Sequence, residues 1–210
     1  MRSRALKPSQ AARLSDDLPR LTLPAGPLDP ATLGPAHAET WLEIGFGGGE
    51  HLAAQARAHP EVLVLGAEPF QNGLASAVRH AEGLENIRLW PGDGRELMAA
   101  LPSASLARLF VLFPDPWPKR RHHKRRLIDG GFAAEALRLL RVGGRLRFAT
   151  DWEDYANQAL EVLLARPGFA WAAQTADDWR QPPADHVQTR YQAKRLGDID
   201  PLWFEFIRRP

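Results

Sequence analysis

From Thr40 onward, short apolar runs alternate with stretches whose apolar residues recur at helical spacing. Many of the runs end at glycine, proline or an acidic residue, which is typical of strands that stop at a turn. Strands that alternate with helices predict right-handed crossovers and a parallel sheet. The predicted strands are Trp41–Phe46, Val62–Glu68, Ile87–Trp90, Leu106–Phe113, Arg145–Thr150 and Trp203–Ile207. The predicted helices are Glu50–Ala58, Gln71–Glu82, Arg95–Leu101, Phe132–Leu140 and Asp154–Ala165, with Gly143-Gly144 closing the fourth.

This pattern predicts an α/β fold with a doubly wound, mostly parallel sheet and helices on both faces. The strand near residue 205 comes late, and we expect it to be antiparallel and to lie in the edge region. Residues 1–38 differ, because they hold six prolines and little periodicity. We predict a basic, proline-rich arm over residues 1–38, partly disordered, and one domain over residues 39–210.

Composition narrows the class of protein. The net charge is only +2, so the basic character is local and favours a defined anionic partner. The absence of cysteine excludes disulfides, thiolate metal sites and thiol nucleophiles. No apolar stretch reaches the roughly 20 residues of a membrane span, and no signal-peptide pattern opens the chain. We therefore expect a soluble, cytoplasmic protein with no membrane association and no metal site.

Residues 113–126 are the most informative segment, reading Phe-Pro-Asp-Pro-Trp-Pro-Lys-Arg-Arg-His-His-Lys-Arg-Arg. Asp115 lies between two prolines, which fix φ and keep the turn extended. Six of the ten residues from Trp117 to Arg126 are Lys or Arg. This pattern favours a site where a polyanion is delivered to one carboxylate. A solvated basic loop is the alternative, because such runs are weak motifs.

Three further acids each follow a predicted strand. Glu43 begins a Glu-x-Gly-x-Gly-x-Gly turn, Glu68 ends the second strand, and Asp93 follows the third. The carboxyl ends of the strands are where open α/β sheets bind ligands. Glu68 suits the hydroxyls of a ribose and Asp93 an amino group of adenine, while Glu43 suits a cationic group rather than a pyrophosphate. Glu50 replaces the third glycine of a dinucleotide fingerprint, which disfavours NAD. Each acid alone could instead be a helix N-cap.

The glycine turn with Glu68 and Asp93 resembles the S-adenosylmethionine site of Rossmann-like methyltransferases. The segment 113–126 is more specific and is similar to that of the tRNA (guanine-N7)-methyltransferase family, TrmB type. Ala149-Thr150-Asp151-Trp152 and Thr189-Arg190-Tyr191-Gln192 also fit this family. The resemblance covers about residues 40–207. It implies methyl transfer from S-adenosylmethionine to guanine N7 in tRNA, at the variable-loop guanine of tRNA position 46.

The resemblance also implies roles for the matching residues. Cofactor contacts fall on Glu43, Gly45, Gly47, Glu68, Asp93 and Asp115, the last also being catalytic. Substrate contacts fall on Lys119, Asp151, Thr189, Arg190, Tyr191 and Gln192. RNA contacts fall on Arg121, His122, His123, Lys124, Arg125 and Arg126. The family usually has Thr-Lys-Phe-Glu in the late motif, so Gln192 stands where a carboxylate is usual.

Other functions remain open from the sequence. One is a methyltransferase that uses the same cofactor on a protein or a small molecule, although a small neutral substrate needs no basic patch. Another is a non-catalytic RNA-binding protein on a methyltransferase fold, which the retention of the four acids disfavours. We favour a monomer as the oligomeric state.

Overall fold

The computed structural model describes residues 5–210. The chain forms two units: the first runs up to Pro102 and includes Val187–Arg190, and the second comprises Ser103–His186 and Tyr191–Pro210. Seven strands form a mixed, mostly parallel sheet flanked by helices. The predicted α/β fold class is therefore confirmed, including the antiparallel direction of the late strand. Within the described residues, no helix is both long and apolar enough to cross a membrane.

The first unit contains three parallel strands in the order β3-β2-β1. Its elements are α1 (Pro8–Asp16), α2 (Leu18–Leu21), β1 (Glu39–Ile44), α3 (Glu50–Ala58), β2 (Val62–Ala67), α4 (Gln71–His80), β3 (Ile87–Trp90) and α5 (Gly94–Ala100). Every residue of β2 is buried, as expected for a parallel strand covered on both faces. Because β1 and β2 are in parallel register, Glu43 lies beside Gly66, two residues before Glu68.

The second unit contains four strands in the order β4-β5-β7-β6. Its elements are β4 (Leu106–Leu112), a 3-10 helix (Arg120–Arg125), α6 (Gly130–Leu139), β5 (Leu140–Thr150), α7 (Glu153–Leu164), β6 (Phe169–Trp171), α8 (Asp177–Arg180) and β7 (Leu202–Arg208). Strand β5 is parallel to β4, and β7 is antiparallel to both of its neighbours. The three-residue β6 is too short to leave a periodic pattern, so the sequence did not predict it.

Residues 5–38, most of the predicted arm, contain two helices and several buried apolar residues. Helices α1 and α2 form, and the backbone N–H of Leu23 donates to the carbonyl of Leu89 in β3 at 2.9 Å. Leu21, Leu23 and Leu28 are buried. These apolar residues fix the segment to the first unit despite its prolines. Residues 1–4 of the predicted arm lie outside the described part of the chain.

The two glycines predicted to close the fourth helix have a different role. Helix α6 ends at Leu139 and β5 begins at Leu140, so Gly143 and Gly144 lie inside the strand. Gly143 has φ of 79°, a left-handed value that glycine adopts without steric cost. The pairing of β4 with β5 shifts register between Leu106 and Arg108. The glycines therefore mark an irregularity in a strand, which sequence alone does not distinguish from a helix end.

Candidate active site

The glycine turn of the first unit links β1 to α3 through left-handed backbone. Gly45, Gly47 and Gly49 have φ of 72°, 57° and 79°. A Cβ on Gly49 would lie 2.6 Å from the Cβ of Ala77 in α4 and 2.8 Å from its Cα. Gly45 and Gly47 are exposed, so their backbone is open to a ligand. The turn thus combines close helix packing on one side with an accessible peptide surface on the other.

Glu68 fastens this turn to the next connection of the sheet. Its Oε2 accepts a hydrogen bond from the N–H of Gly47 at 2.9 Å, and its Oε1 accepts one from the N–H of Phe70 at 2.9 Å. The residue is buried, with 4% of its surface exposed. A carboxylate offers about four acceptor positions, so each oxygen can accept more than one hydrogen bond. The predicted ribose contact at Glu68 is therefore compatible with its structural role.

Glu43 lies next to the last residue of β1 and contacts a histidine that the sequence analysis did not single out. The Nδ1 of His51 lies 2.8 Å from the Glu43 Oε2, and both side chains are almost completely buried. The Nε2 of His51 lies 3.2 Å from the Nε2 of Gln55. One neutral tautomer, protonated at Nδ1, satisfies both contacts. That arrangement orients the carboxylate of Glu43.

Asp93 serves as the N-cap of α5. Its Oδ1 accepts a hydrogen bond from the N–H of Arg95 at 2.9 Å, and the residue is exposed. A Cβ on Gly94, the next residue, would lie 2.4 Å from the Cγ2 of Ile44, so the start of α5 packs against the end of β1. Asp93 therefore lies at the same edge of the first unit as the glycine turn, and capping does not exclude a ligand contact.

In the second unit, Asp115 lies exposed on a turn framed by two strained aromatic residues. Phe113 and Trp117 have φ of 53° and 45°, in the left-handed region that bulky residues rarely occupy. The N–H of Phe113 donates to the carbonyl of Ala149 at 2.8 Å, and its ring packs edge-on against Trp203. Such strain persists where surrounding packing imposes it, and it clusters at functional sites.

Asp151 and Tyr191 lie close together in this unit. The Tyr191 hydroxyl donates to the Asp151 Oδ1 over 3.4 Å, and the Tyr191 ring packs against that of Phe113. Burial raises the pKa of Asp151, and the charge of Asp198 raises it further. Hydrogen bonds from Gly197 and Tyr191 lower the pKa, but the net effect is a raised value. Burial and the charge of Asp151 raise the pKa of Tyr191, with a further contribution from the charge of Asp115. The predicted substrate residues Asp151 and Tyr191 are thus electrostatic neighbours.

The loop that contains Gly197 and Asp198 packs against the backbone of Asp151. The N–H of Asp198 donates to the carbonyl of Asp151 at 3.0 Å, and a Cβ on Gly197 would lie 2.1 Å from that carbonyl oxygen. The Asp198 Oδ1 also accepts from the N–H of Glu153 at 3.0 Å. Asp198 therefore supplies a side-chain hydrogen bond to the first residue of α7. A glycine followed by an aspartate was the only sequence signal for this contact.

The remaining residues of the late motif divide between the units. Thr189 and Arg190 belong to the first unit, where the Arg190 Nε lies 3.1 Å from the Glu50 Oε1. Gln192 belongs to the second unit, and its Oε1 lies 2.6 Å from the His186 Nε2. The amide at position 192 therefore has a histidine partner within the same unit. These contacts give Glu50 and His186 roles that the motif alone did not reveal.

Most of the basic run is presented to solvent. Lys119 precedes the 3-10 helix, and Arg121, Lys124 and Arg125 on it are exposed, with His122 and His123 half-buried. The Arg125 guanidinium lies 4.8 Å from the centre of the Trp117 ring, and His122 packs edge-on against the same ring. No cluster of three His, Asp or Glu suited to a metal ion occurs within residues 5–210. The charged groups of this run are therefore mostly accessible to solvent.

Arg126 differs from the other cations of the run, because it is buried. It was expected to contact RNA, yet only 2% of its surface is exposed and its guanidinium points into the second unit. Its donors are taken by the Pro116 carbonyl, the Asp154 carboxylate and the Gln158 side chain. Its position at the end of a cationic run concealed this burial, because its side-chain partners Asp154 and Gln158 lie in another segment of the chain.

Comparison with known proteins decides the family. A protein in Caulobacter sp. (strain K31), named tRNA (guanine-N(7)-)-methyltransferase, is 52% identical over 210 residues, covering 99% of this chain and 92% of that protein. A protein of the same name in Rhodospirillum rubrum is 49% identical, covering 97% of this chain and 85% of that protein. The chain belongs to the tRNA (guanine-N7)-methyltransferase family. A family model described as a putative methyltransferase also matches residues 37–199.

Solved structures place this tRNA (guanine-N7)-methyltransferase family member among class I methyltransferase folds. The 16S rRNA (adenine(1408)-N(1))-methyltransferase from Catenulisporales acidiphilia superposes with a TM-score of 0.59 at 18% identity, covering 90% of this chain and 98% of that one. The 16S rRNA methyltransferase KamB gives a TM-score of 0.58 at 17% identity, covering 83% and 90%. At such low identity, these similarities establish the fold alone.

Proposed function

We propose that this protein transfers the methyl group of S-adenosylmethionine to N7 of a guanine in tRNA, the variable-loop guanine being the expected acceptor. The observation that carries the proposal is the turn of the second unit, where an exposed Asp115 carboxylate is held by strained backbone. The exposed basic 3-10 helix follows it directly, and Asp151 and Tyr191 belong to the same unit. The names of the relatives support the same reaction.

The chemistry needs little from the protein beyond alignment and charge. Guanine N7 carries a lone pair and no proton, so attack on the sulfonium methyl requires no general base. Alignment of the reacting atoms can supply roughly 7–11 kcal/mol of the barrier. Positive charge develops on the guanine ring, and a fixed carboxylate near the ring favours that transition state.

Asp115 is the group proposed to select and orient the base. A carboxylate can accept from both N1–H and the 2-amino group, donors that only guanine presents together. Asp151, hydrogen-bonded to Tyr191, is the proposed second purine contact. Burial raises the pKa of Asp151 above that of an ordinary aspartate. Neither acid needs to remove a proton.

The first unit fits the methyl donor. S-adenosylmethionine supplies the sulfonium methyl group, together with an ammonium, a ribose and an adenine to be recognised. Glu43 offers a buried carboxylate for a cationic group, Glu68 offers carboxylate oxygens for the ribose hydroxyls, and Asp93 exposes a carboxylate for the adenine amino group. Gly45 and Gly47 leave the backbone accessible beside them. These three carboxylates match the ammonium, ribose and adenine groups of S-adenosylmethionine in chemistry.

Binding of tRNA is proposed to rest on exposed cations. Lys119, Arg121, Lys124 and Arg125 supply phosphate contacts, with His122 and His123 beside them. A folded RNA is recognised mainly through its shape and backbone, with an accessible base inserted into the pocket. Thr189, Arg190, Tyr191 and Gln192 are the proposed substrate contacts of the late motif. We further expect a monomer that works in the cytoplasm.

The test is incorporation of labelled methyl from S-adenosylmethionine into unmodified tRNA transcripts, followed by identification of the modified nucleoside. The matched control is a transcript whose variable-loop guanine is replaced by adenine. Formation of 7-methylguanosine on the first transcript alone is the expected result. Methylation of another base, or no methylation despite measured cofactor binding, would overturn the proposal.

A further inference from the structure

Arg126 is the most deeply buried cation of the basic run, and its contacts converge on the turn that carries Asp115. Its Nε donates to the carbonyl of Pro116 at 2.8 Å. Its Nη2 donates to the Asp154 Oδ2 at 2.6 Å, and its Nη1 donates to the Gln158 Oε1 at 2.7 Å. The guanidinium also lies 4.9 Å from the centre of the Tyr155 ring. One side chain therefore ties the turn to the first turns of α7.

The bond to Pro116 completes the restraint on the backbone around Asp115. Proline fixes φ at positions 114 and 116, and a following proline restricts the residue before it, here Asp115. Rotation about ψ of Pro116 would turn the peptide plane between Pro116 and Trp117, and Arg126 holds the oxygen of that plane. Trp117, on the other side of that plane, has a left-handed backbone that would relax if the plane were free.

Arg126 donates hydrogen bonds to acceptors on three residues at once, which makes this arrangement rigid. A hydrogen bond to a charged donor is stronger than a neutral one, and a planar guanidinium fixes several acceptors in one geometry. The hydrogen bond and charge of Arg126 hold the pKa of Asp154 below its ordinary value, with His123 contributing. The N–H of Ile128 also donates a hydrogen bond to the Tyr155 hydroxyl at 3.1 Å. The segment leaving the basic run is thus fixed to α7 at several points.

We propose that Arg126 is a positioning residue for methyl transfer, which fixes the Pro116 carbonyl and thereby the orientation of Asp115, and that it makes no contact with RNA. This inference rests on the proposed function for its catalytic consequence. It divides a run of six cations into two roles. The exposed members hold phosphates, and the buried last member holds the catalytic turn.

The test compares Arg126→Ala and Arg126→Lys with wild type. With tRNA and S-adenosylmethionine saturating, we expect the single-turnover rate of Arg126→Ala to fall by about 10- to 100-fold, since small misplacements of reacting groups cost up to about 10² in rate. Its tRNA affinity and the salt dependence of that affinity should stay at wild-type values. Arg126→Lys keeps the charge but lacks the planar fork, and an intermediate rate is expected.

Two further variants calibrate these results. Arg138→Ala removes an arginine of the same unit that pairs with Glu135 on α6, and it should leave the rate and the tRNA affinity unchanged. Arg125→Ala should show the opposite signature to Arg126→Ala, with weaker tRNA binding and a shallower salt slope. The inference is overturned if Arg126→Ala behaves like Arg125→Ala and keeps its saturating rate.

Hydrogen exchange separates the inference from the proposed function. In Arg126→Ala, amides of the segment 113–120 should exchange faster than in wild type and in Arg138→Ala, whatever the enzyme methylates. If exchange there is unchanged, Arg126 does not hold the turn. If wild type makes no 7-methylguanosine while exchange rises as expected, the proposed function fails and the structural role stands. If Arg126→Ala does not fold, the same exchange and rate measurements on Arg126→Lys decide the matter.

Discussion

The two turns that carry the proposed ligand contacts reach the same backbone conformation by different means. The turn of the first unit uses Gly45, Gly47 and Gly49 at its three left-handed positions. The turn of the second unit uses Phe113 and Trp117 at comparable φ, where an L residue costs roughly 1–2 kcal/mol. Glycine leaves the backbone accessible to a ligand. The aromatic residues strain the backbone, but their side chains pack against neighbouring groups. The difference indicates that one turn is built for close approach and the other for holding an exposed carboxylate still.

The first prediction tests the glycine turn. Gly49→Ala should destabilise the protein by about 2–5 kcal/mol, because a left-handed φ and a collision with the backbone of Ala77 act together. Gly47→Ala is the matched control, since nothing lies within 4 Å of its added Cβ. It should cost only about 1–2 kcal/mol. Urea unfolding measures both, and equal losses would show that the approach of α4 contributes nothing.

The second prediction tests strain in the aromatic turn. At ordinary φ, glycine is less stable than alanine by roughly 0.5–1 kcal/mol. At position 117 the order should reverse, with Trp117→Gly more stable than Trp117→Ala by about 1 kcal/mol, because only alanine retains the left-handed cost. Both variants lose the same ring, so packing cancels in the difference. Alanine proving the more stable substitution would refute strain at this position.

The smallest expected effect is that of Arg125→Ala. Its guanidinium lies over the Trp117 ring at an exposed site, which is worth about 0.5–1 kcal/mol. Its larger consequence should be in RNA binding, where the logarithmic salt slope should decrease by about 0.7–0.9 for one lost phosphate contact. Filter binding of tRNA over a range of salt concentrations measures this slope. An unchanged slope would indicate that Arg125 belongs to a solvated loop and makes no phosphate contact.

The sequence predicted the elements with a strong pattern. Helix α3 has the predicted bounds, and β1 to β4 lie within two residues of theirs, because buried parallel strands read as continuous apolar runs. The glycine turn was legible for a related reason, since glycines at that spacing serve few purposes other than left-handed backbone. Local chemistry decided these features, so a local reading found them.

Features that depend on residues far apart in the chain could not be predicted from the sequence. Arg126 looks like its cationic neighbours, and only Asp154 and Gln158, 28 and 32 residues later, make it a buried residue. His51 finds Glu43 through the packing of α3 beside β1, eight residues away. The left-handed φ of Phe113 and Trp117 opposes their intrinsic preference and follows from tertiary contacts. Arginine and histidine in a basic or helical segment carry no mark of such partners.

The central claim is that the carboxylate of Asp115 orients guanine and stabilises its developing charge. Single-turnover methyl transfer by Asp115→Asn, with tRNA and S-adenosylmethionine saturating, tests it most directly, because the amide keeps the shape and loses the charge. We expect the rate of 7-methylguanosine formation to fall by about 10²-fold or more, with tRNA affinity near that of wild type. A rate within a few-fold of wild type would contradict the claim.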